Sequence, residues 1–268
     1  KKIKELLIQA QNAHRDNHLE DLEKILKEIV LIDPNYFPAI FNLGKLSEKL
    51  KKYEKAVQFY KKTIEINPKY FDAILSLINC YEDMGKLDLA IKISEDSCKS
   101  HPDRYEAYYT LGRLKYKNQT NFDDAYNAFK KTLLLNDNFE HAKLSLGRVC
   151  KTLGNFLEAK EIFQEFIDSD KNKKIEAYFE IADFLDDKEI KKNIKNLEIL
   201  EKNNKQTDQE KILLYFAMGK MFEKIKNYKK SIHYYNLGNN LKRKNHEYSI
   251  DYDTKRFNAQ KKTIDKFV

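Results

Sequence analysis

The chain has 268 residues, 41% of them hydrophobic, with only seven glycines and four prolines. That is enough apolar material for a long continuous core, and too little glycine and proline for a loop-rich fold or a flexible linker. Its 50 Lys and Arg against 42 Asp and Glu give a net charge of +8, no apolar run approaches the roughly 18 residues of a membrane span, and Cys80, Cys98 and Cys150 lack the paired, close spacing of a disulfide framework or metal site.

A weak first unit ends at Pro34. Over 37–70, Ile40, Leu43, Gly44, Ser47 and Leu50 recur at three- and four-residue spacing, which predicts one helical face. Lys51-Lys52-Tyr53 breaks it. Ala56, Val57, Phe59, Tyr60 and Ile64 then predict a second helix, which Asn67-Pro68 stops, because proline cannot continue a helix and biases its predecessor toward extended angles. The pattern returns down the chain. Leu43, Leu77, Leu111 and Leu146 are spaced by 34, 34 and 35 residues, and Ala56, Ala90, Ala125 and Ala159 by 34, 35 and 34. Pro34, Pro68 and Pro102 close units at the same interval. A sixth unit opens with Glu176, Ala177 and Tyr178 and loses the pattern over Lys188 to Lys202. A seventh follows through Tyr215, Met218-Gly219, Phe222, Ser231 and Tyr235. Ser249, Ile250, Phe257, Ile264 and Phe267 predict a last helix that covers the open end of the stack. Nothing alternates with period two, so strands are not expected. A fixed period of this length means stacked helix-turn-helix units, none able to bury its apolar face alone.

These positions resemble the tetratricopeptide repeat (TPR) family, whose pattern is a Leu-Gly pair, an aromatic, a small residue, a second aromatic and a closing proline. The second unit supplies Leu43-Gly44, Ala56, Tyr60 and Pro68. The third has Leu77, Tyr81, Ala90 and Pro102, with Ile78 in place of glycine. The fourth has Tyr108, Leu111-Gly112, Ala125 and Phe129, one extra residue near Asn118 to Thr120, and Asp137 in place of the proline. The fifth has Leu146-Gly147, Ala159 and Phe163, with an extra residue between Asp168 and Lys174. The resemblance implies an all-α fold, an α–α superhelix or TPR solenoid of about seven units plus a C-terminal helix. The units fall near 3–36, 37–70, 71–104, 105–139, 140–174, 175–211 and 212–245, and 246–268 forms a capping or linker helix.

Chemistry is hard to find. His14 and His18 share one helix face, but two ligands without a third make no zinc site, and a solvent-facing pair is the simpler reading. No glycine-rich loop follows a strand. Asp123-Asp124 and Asp186-Asp187 sit where helix capping and dipole roles suffice. Tyr60, Tyr81, Phe129, Phe163 and Tyr235 fall where repeats bury a ring between helices. The three cysteines read as small core residues in a reducing compartment. No catalytic residue, cofactor or metal is expected, and the chain is read as cytoplasmic.

The resemblance further implies that the fifth, sixth and ninth residues of each unit face a groove. These are Phe41, Asn42, Lys45, Asn79, Tyr109, Arg113 and Arg148, with Asp183 and Lys220 continuing the ninth-residue row. Lys and Arg in register favour an extended peptide with acidic side chains or a C-terminal carboxylate, since guanidinium pairs with carboxylate bidentately. This is similar to TPR modules that clamp the acidic C-terminus of a chaperone, although their fuller Lys/Asn/Arg set is not present. The asparagine ladder of glycosyltransferase TPR arrays is replaced by Ser76, Thr110 and Ser145.

Charge is uneven along the chain. Residues 1–185 carry 30 basic and 30 acidic residues, and 186–268 carry 20 and 12. A basic end suits nucleic acid, anionic lipid or an acidic domain; Lys-rich solvated helix faces are the simpler reading. The stretch from Tyr235-Asn236-Leu237-Gly238 to Phe267 also resembles the segment joining bacterial TPR arrays to a sulfotransferase domain. That resemblance implies a partner- or substrate-recruiting arm, cut from a longer polypeptide, whose donor-binding loop would lie beyond Val268. A free-standing adaptor or assembly scaffold is the alternative. The balanced charge of residues 1–185 argues against an RNA-binding helical repeat.

Overall fold

A computed structural model describes residues 2–119, 121–168, 175–203 and 206–245. Among them every regular element is a helix, and the chain divides into two compact units, residues 1–149 and 150–268. The first unit holds α1 (Lys2–Arg15), α2 (Leu19–Ile32), α3 (Phe37–Lys49), α4 (Tyr53–Ile66), α5 (Phe71–Asp83), α6 (Leu87–Ser100), α7 (Tyr105–Asn118), α8 (Phe122–Leu135) and most of α9 (Glu140–Leu153). The second holds the end of α9, then α10 (Phe156–Asp168), α11 (Ile175–Ile181), α12 (Asp187–Asn203), α13 (Asp208–Lys224) and α14 (Tyr228–Asn245).

In the first unit each helix packs on its neighbour in sequence, from α1 on α2 through α7 on α8. The turns inside the hairpins share one device. Asn17, Lys51, Gly85 and Gln119 all take positive φ, 57°, 57°, 71° and 55°, at 34-residue steps. Only Gly85 is a glycine, so the other three carry the steric penalty of left-handed backbone. Between hairpins the device is different. Asp33, Asn67 and Asn136 end α2, α4 and α8, and each side chain accepts the backbone N–H two residues on, at 3.0, 3.2 and 3.2 Å. Such Asx turns mimic a backbone turn and hold the chain before the next helix.

The core follows the period. Leu6 and Ala10 of α1, Leu22, Leu26 and Ile29 of α2, and Leu43 and Leu46 of α3 form one buried cluster. Tyr60 of α4, Ile74, Leu77 and Ile78 of α5, Ile91 of α6 and Leu114 of α7 belong to the next. Each fully buried large apolar side chain contributes roughly 1.5–3 kcal/mol. The three cysteines are buried thiols, not joined in disulfides. Burial, then the nearby Glu48 and Asp83, pushes the Cys80 thiol up to about 12, and burial pushes Cys98 up to about 11. Both stay protonated and unreactive at neutral pH.

In the second unit α10 packs on α11, and α11, α12 and α14 all pack on α13. Here the structure corrects one reading of the sequence. A full first helix in the sixth unit would place Asp183 on a helical face, but α11 has only seven residues and ends at Ile181. Phe184 leaves the helical path and packs against Phe156 and Phe163, with ring centroids 5.8 and 6.4 Å away. Asp186 then starts α12 through a capping box, accepting from Glu189 N at 2.7 Å while Glu189 accepts from Asp186 N at 3.0 Å. The extra residue near Asp168 to Lys174 and the predicted helix over 249–268 lie outside the described residues.

Candidate peptide-binding site

The structure brings two of the groove positions read from the sequence into one cleft and engages others within the chain. Phe41 is half-buried, edge-on to Tyr70 at 5.0 Å and tilted against Tyr60 at 5.6 Å. Tyr109 repeats this arrangement with Phe139 at 4.8 Å and Phe129 at 5.9 Å. These rings wedge one hairpin against the next. Arg113 forks onto Glu82 of α5, Nη1 at 2.7 Å from Oε1 and Nη2 at 2.6 Å from Oε2, and Lys117 joins Glu82 at 2.8 Å. The hydrogen bond from Arg113, then that from Lys117, holds the Glu82 carboxyl below its usual range against the opposing effect of burial. The fork that would grip a peptide carboxylate thus already grips one in its own chain. Asn79 is exposed on α5, and Arg148 is half-buried on α9.

Asn42 and Lys45 are brought together. Both line a cleft of about 720 Å³ in the first unit, within the size range of ligand pockets. Leu7 and Ala10 of α1, Leu19, Leu22 and Leu26 of α2, and Leu46 of α3 give it an apolar lining. The polar lining is Gln11, His14, Asn42, Lys45, Glu48, Lys49, Lys51 and Asp83, with Tyr53 beside it. Lys45 Nζ is 3.1 Å from Glu48 Oε2, and Lys49 Nζ donates to Asn17 Oδ1 at 2.8 Å. The Tyr60 hydroxyl also donates to Glu48, and burial with that carboxylate pushes the phenol well above its ordinary range. The cleft wall therefore carries three lysines and two carboxylates, Glu48 and Asp83, and Glu48 is already engaged by Lys45 and Tyr60. His14 lies in the last turn of α1 and His18 just before α2, so the two do not share a helix face as the sequence reading had it; both are exposed, and His14 is part of the lining. Gln11, Lys49, Lys51 and Asp83 escaped the sequence reading, and His14 entered it only as one of a solvent-facing pair, because nothing in their local pattern says that α1, α2 and α3 border a common cleft.

In the second unit the same cross-linking recurs. Asp183 sits in the turn after α11 and meets Lys151 at 2.6 Å, Lys220 at 2.8 Å and Lys224 at 3.6 Å. Lys220 also donates to Phe179 O at 3.0 Å and lies 4.3 Å from the Phe179 ring centre. Burial opposes ionisation of Asp183, but the hydrogen bonds from Lys151 and Lys220 outweigh it and bring its pKa down to about 2. Among the described residues no group of three or more His, Cys, Asp or Glu side chains is placed to hold a metal ion. No helix among them is long and apolar enough to cross a membrane.

Residues 38–70 and 140–173 match the tetratricopeptide repeat family. The chain carries tetratricopeptide repeats. None of the curated proteins matches it. Solved structures of TPR proteins do. A TPR protein from Parabacteroides merdae is 19% identical, with 94% of this chain and 96% of that one covered and a TM-score of 0.66. MamA from Desulfovibrio magneticus RS-1, residues 41 to the end, is 22% identical over 62% of this chain and 93% of that one, TM-score 0.54. YrrB, a TPR protein with an unusual peptide-binding site, is 16% identical over 78% of this chain and 96% of that one, TM-score 0.52. At these identities the TPR likeness shows the fold, an all-α solenoid, and nothing finer.

Proposed function

We propose that this chain is a non-catalytic protein-binding scaffold whose cleft at α1–α3 takes an extended peptide. An apolar side chain of the peptide would enter between Leu7, Leu22, Leu26 and Leu46. An adjacent carboxylate would meet Lys45, Lys49 and Lys51, with Asn42 hydrogen-bonding to the peptide backbone. The observation that carries this reading is the cleft itself, an apolar slot with lysines at its edge and two of the sequence-derived groove residues in its wall. The peptide-binding site named for YrrB supports the class of ligand. In the wider reading the scaffold is the partner- or substrate-recruiting arm of a sulfotransferase-like protein, raising the local concentration of an acidic polypeptide beside a tethered domain. That step rests on the resemblance of the C-terminal stretch. Three buried thiols outside any disulfide suit a reducing, cytoplasmic setting.

The test is fluorescence anisotropy with a labelled peptide library varied in acidic and apolar content, against wild type and Lys45→Glu/Lys49→Glu. The reading expects acidic peptides with one large apolar residue to bind wild type at least about 10-fold more tightly than the variant. Equal affinities, or preference for basic peptides, would rule it out.

A further inference from the structure

Part of the positive excess of residues 186–268 stands exposed on the outward faces of α12 and α14. On α12, Ile190, Asn193, Ile194 and Leu197 are buried. The opposite face carries Lys188, Lys191, Lys192, Lys195, Ile199 and Lys202, spaced by three and four residues and all exposed. On α14, Ser231 and Gly238 are buried, while Lys229, Lys230, Ile232, His233, Asn236, Lys242, Arg243 and Lys244 are exposed. The stretch 228–245 contains no Asp or Glu at all. The two helices are neighbours: both pack on α13, and Tyr234 of α14 donates to Glu201 of α12 at 3.4 Å.

Unlike Arg113, Lys151 and Lys220, these cations form no ion pair with another described residue. Lys230 lies over the Phe222 ring at 4.9 Å. The carboxylates on α12 are partly committed elsewhere, Glu189 to Lys160 at 2.9 Å and Glu201 to Tyr234; Asp187 and Glu198 remain. Large apolar side chains stand among the lysines. Ile199 and Ile232 are each 60% exposed, and Tyr228 is 59% exposed.

We propose that this face docks on an anionic lipid surface. Unpaired lysines are drawn to a negatively charged leaflet. Isoleucine and tyrosine side chains between them enter the headgroup–acyl boundary, as on interfacial helices. Nucleic acid fits less well, because a phosphate backbone offers two exposed isoleucines no apolar counterpart. The cations are also nine lysines to one arginine, without the bidentate forks that base recognition favours. This site is independent of the α1–α3 cleft and can fail or stand without it.

The test uses the full chain and co-sedimentation with vesicles of phosphatidylcholine alone and of phosphatidylcholine mixed with phosphatidylglycerol. Binding to the anionic vesicles only, weakening with salt, is the expected result. Lys191→Glu/Lys192→Glu/Lys195→Glu should lower the partition coefficient roughly 100-fold or more, with an unchanged circular dichroism spectrum showing that the helices persist. Ile199→Ser/Ile232→Ser should lower it roughly 10-fold while leaving the salt dependence intact. Equal binding to neutral vesicles, or unchanged binding by either variant, overturns the proposal. Binding to a single-stranded RNA oligonucleotide or to polyglutamate, with none to anionic vesicles, overturns it too and reassigns the face.

Discussion

Any Cβ at position 44 would lie 2.5 Å from Cε1 of Tyr60. Real side chains do not approach so closely, and Tyr60 is fully buried, with no room to retreat. Gly44 is therefore the seat of a ring from the next helix. The relation repeats at Gly112 with Phe129 and at Gly219 with Tyr235, each at 2.8 Å. It explains why glycine belongs mid-helix here despite a propensity cost of about 1 kcal/mol. Gly44 and Gly219 share a second feature. The ring they admit donates its hydroxyl to the Glu one turn on, Tyr60 to Glu48 and, at 2.9 Å, Tyr235 to Glu223.

Replacing Gly44 with Ala should destabilise the α3–α4 hairpin by about 1–3 kcal/mol, the usual cost of overpacking. Amide hydrogen exchange would read it as faster exchange in α3 and α4. Adding Tyr60→Leu should recover part of the loss relative to the sum of the single changes. Unaltered protection in Gly44→Ala would mean that the ring can move.

The Glu82–Arg113 pair predicts a stabilising coupling. A double-mutant cycle with Glu82→Gln and Arg113→Ala should give about 1 kcal/mol, allowing for an arginine side chain still open to solvent. Arg113→Ala should leave peptide affinity within about 2-fold of wild type, because the guanidinium is already occupied. A loss above about 10-fold would make Arg113 a direct ligand after all.

Asp183 predicts a pH dependence. Its pKa falls from the ordinary 3.8 to about 2 in the folded chain, so the unfolded state holds the proton more tightly. The stabilisation is fully present above about pH 4 and is lost as pH falls through about 2. Solvent screening reduces its size to about 1 kcal/mol. Thermal melts of wild type and Asp183→Asn should differ at neutral pH and converge in strong acid. A constant difference across that range would remove the carboxylate from the account.

Thr207 starts α13 with a capping box, accepting from Glu210 N at 3.3 Å while Glu210 Oε2 accepts from Thr207 N at 2.8 Å. Thr207→Ala should cost about 1 kcal/mol, felt as faster exchange in the first turn of α13. Thr207→Ser should behave as wild type. If both variants exchange alike, the box contributes nothing.

The sequence by itself determined the all-α class, because apolar positions spaced by three and four residues can bury one face only as helices. It also fixed where repeated residues such as Leu43, Ala56 and Pro68 recur, since each unit must match its neighbours to stack. Turn geometry was hidden, because Asn17, Lys51, Gly85 and Gln119 share a positive φ without sharing a residue type. The early end of α11 was hidden too, since Phe184 is held by rings far earlier in the chain. Only the tertiary structure decided which groove cations are spoken for. Lys45 and Arg113 occupy the same register position, yet Lys45 pairs with Glu48 of its own helix at the border of an open cleft, while Arg113 is locked to Glu82 of another helix. A side chain's freedom depends on what lies within about 4 Å of its charge, and for Arg113 that neighbour comes from another helix.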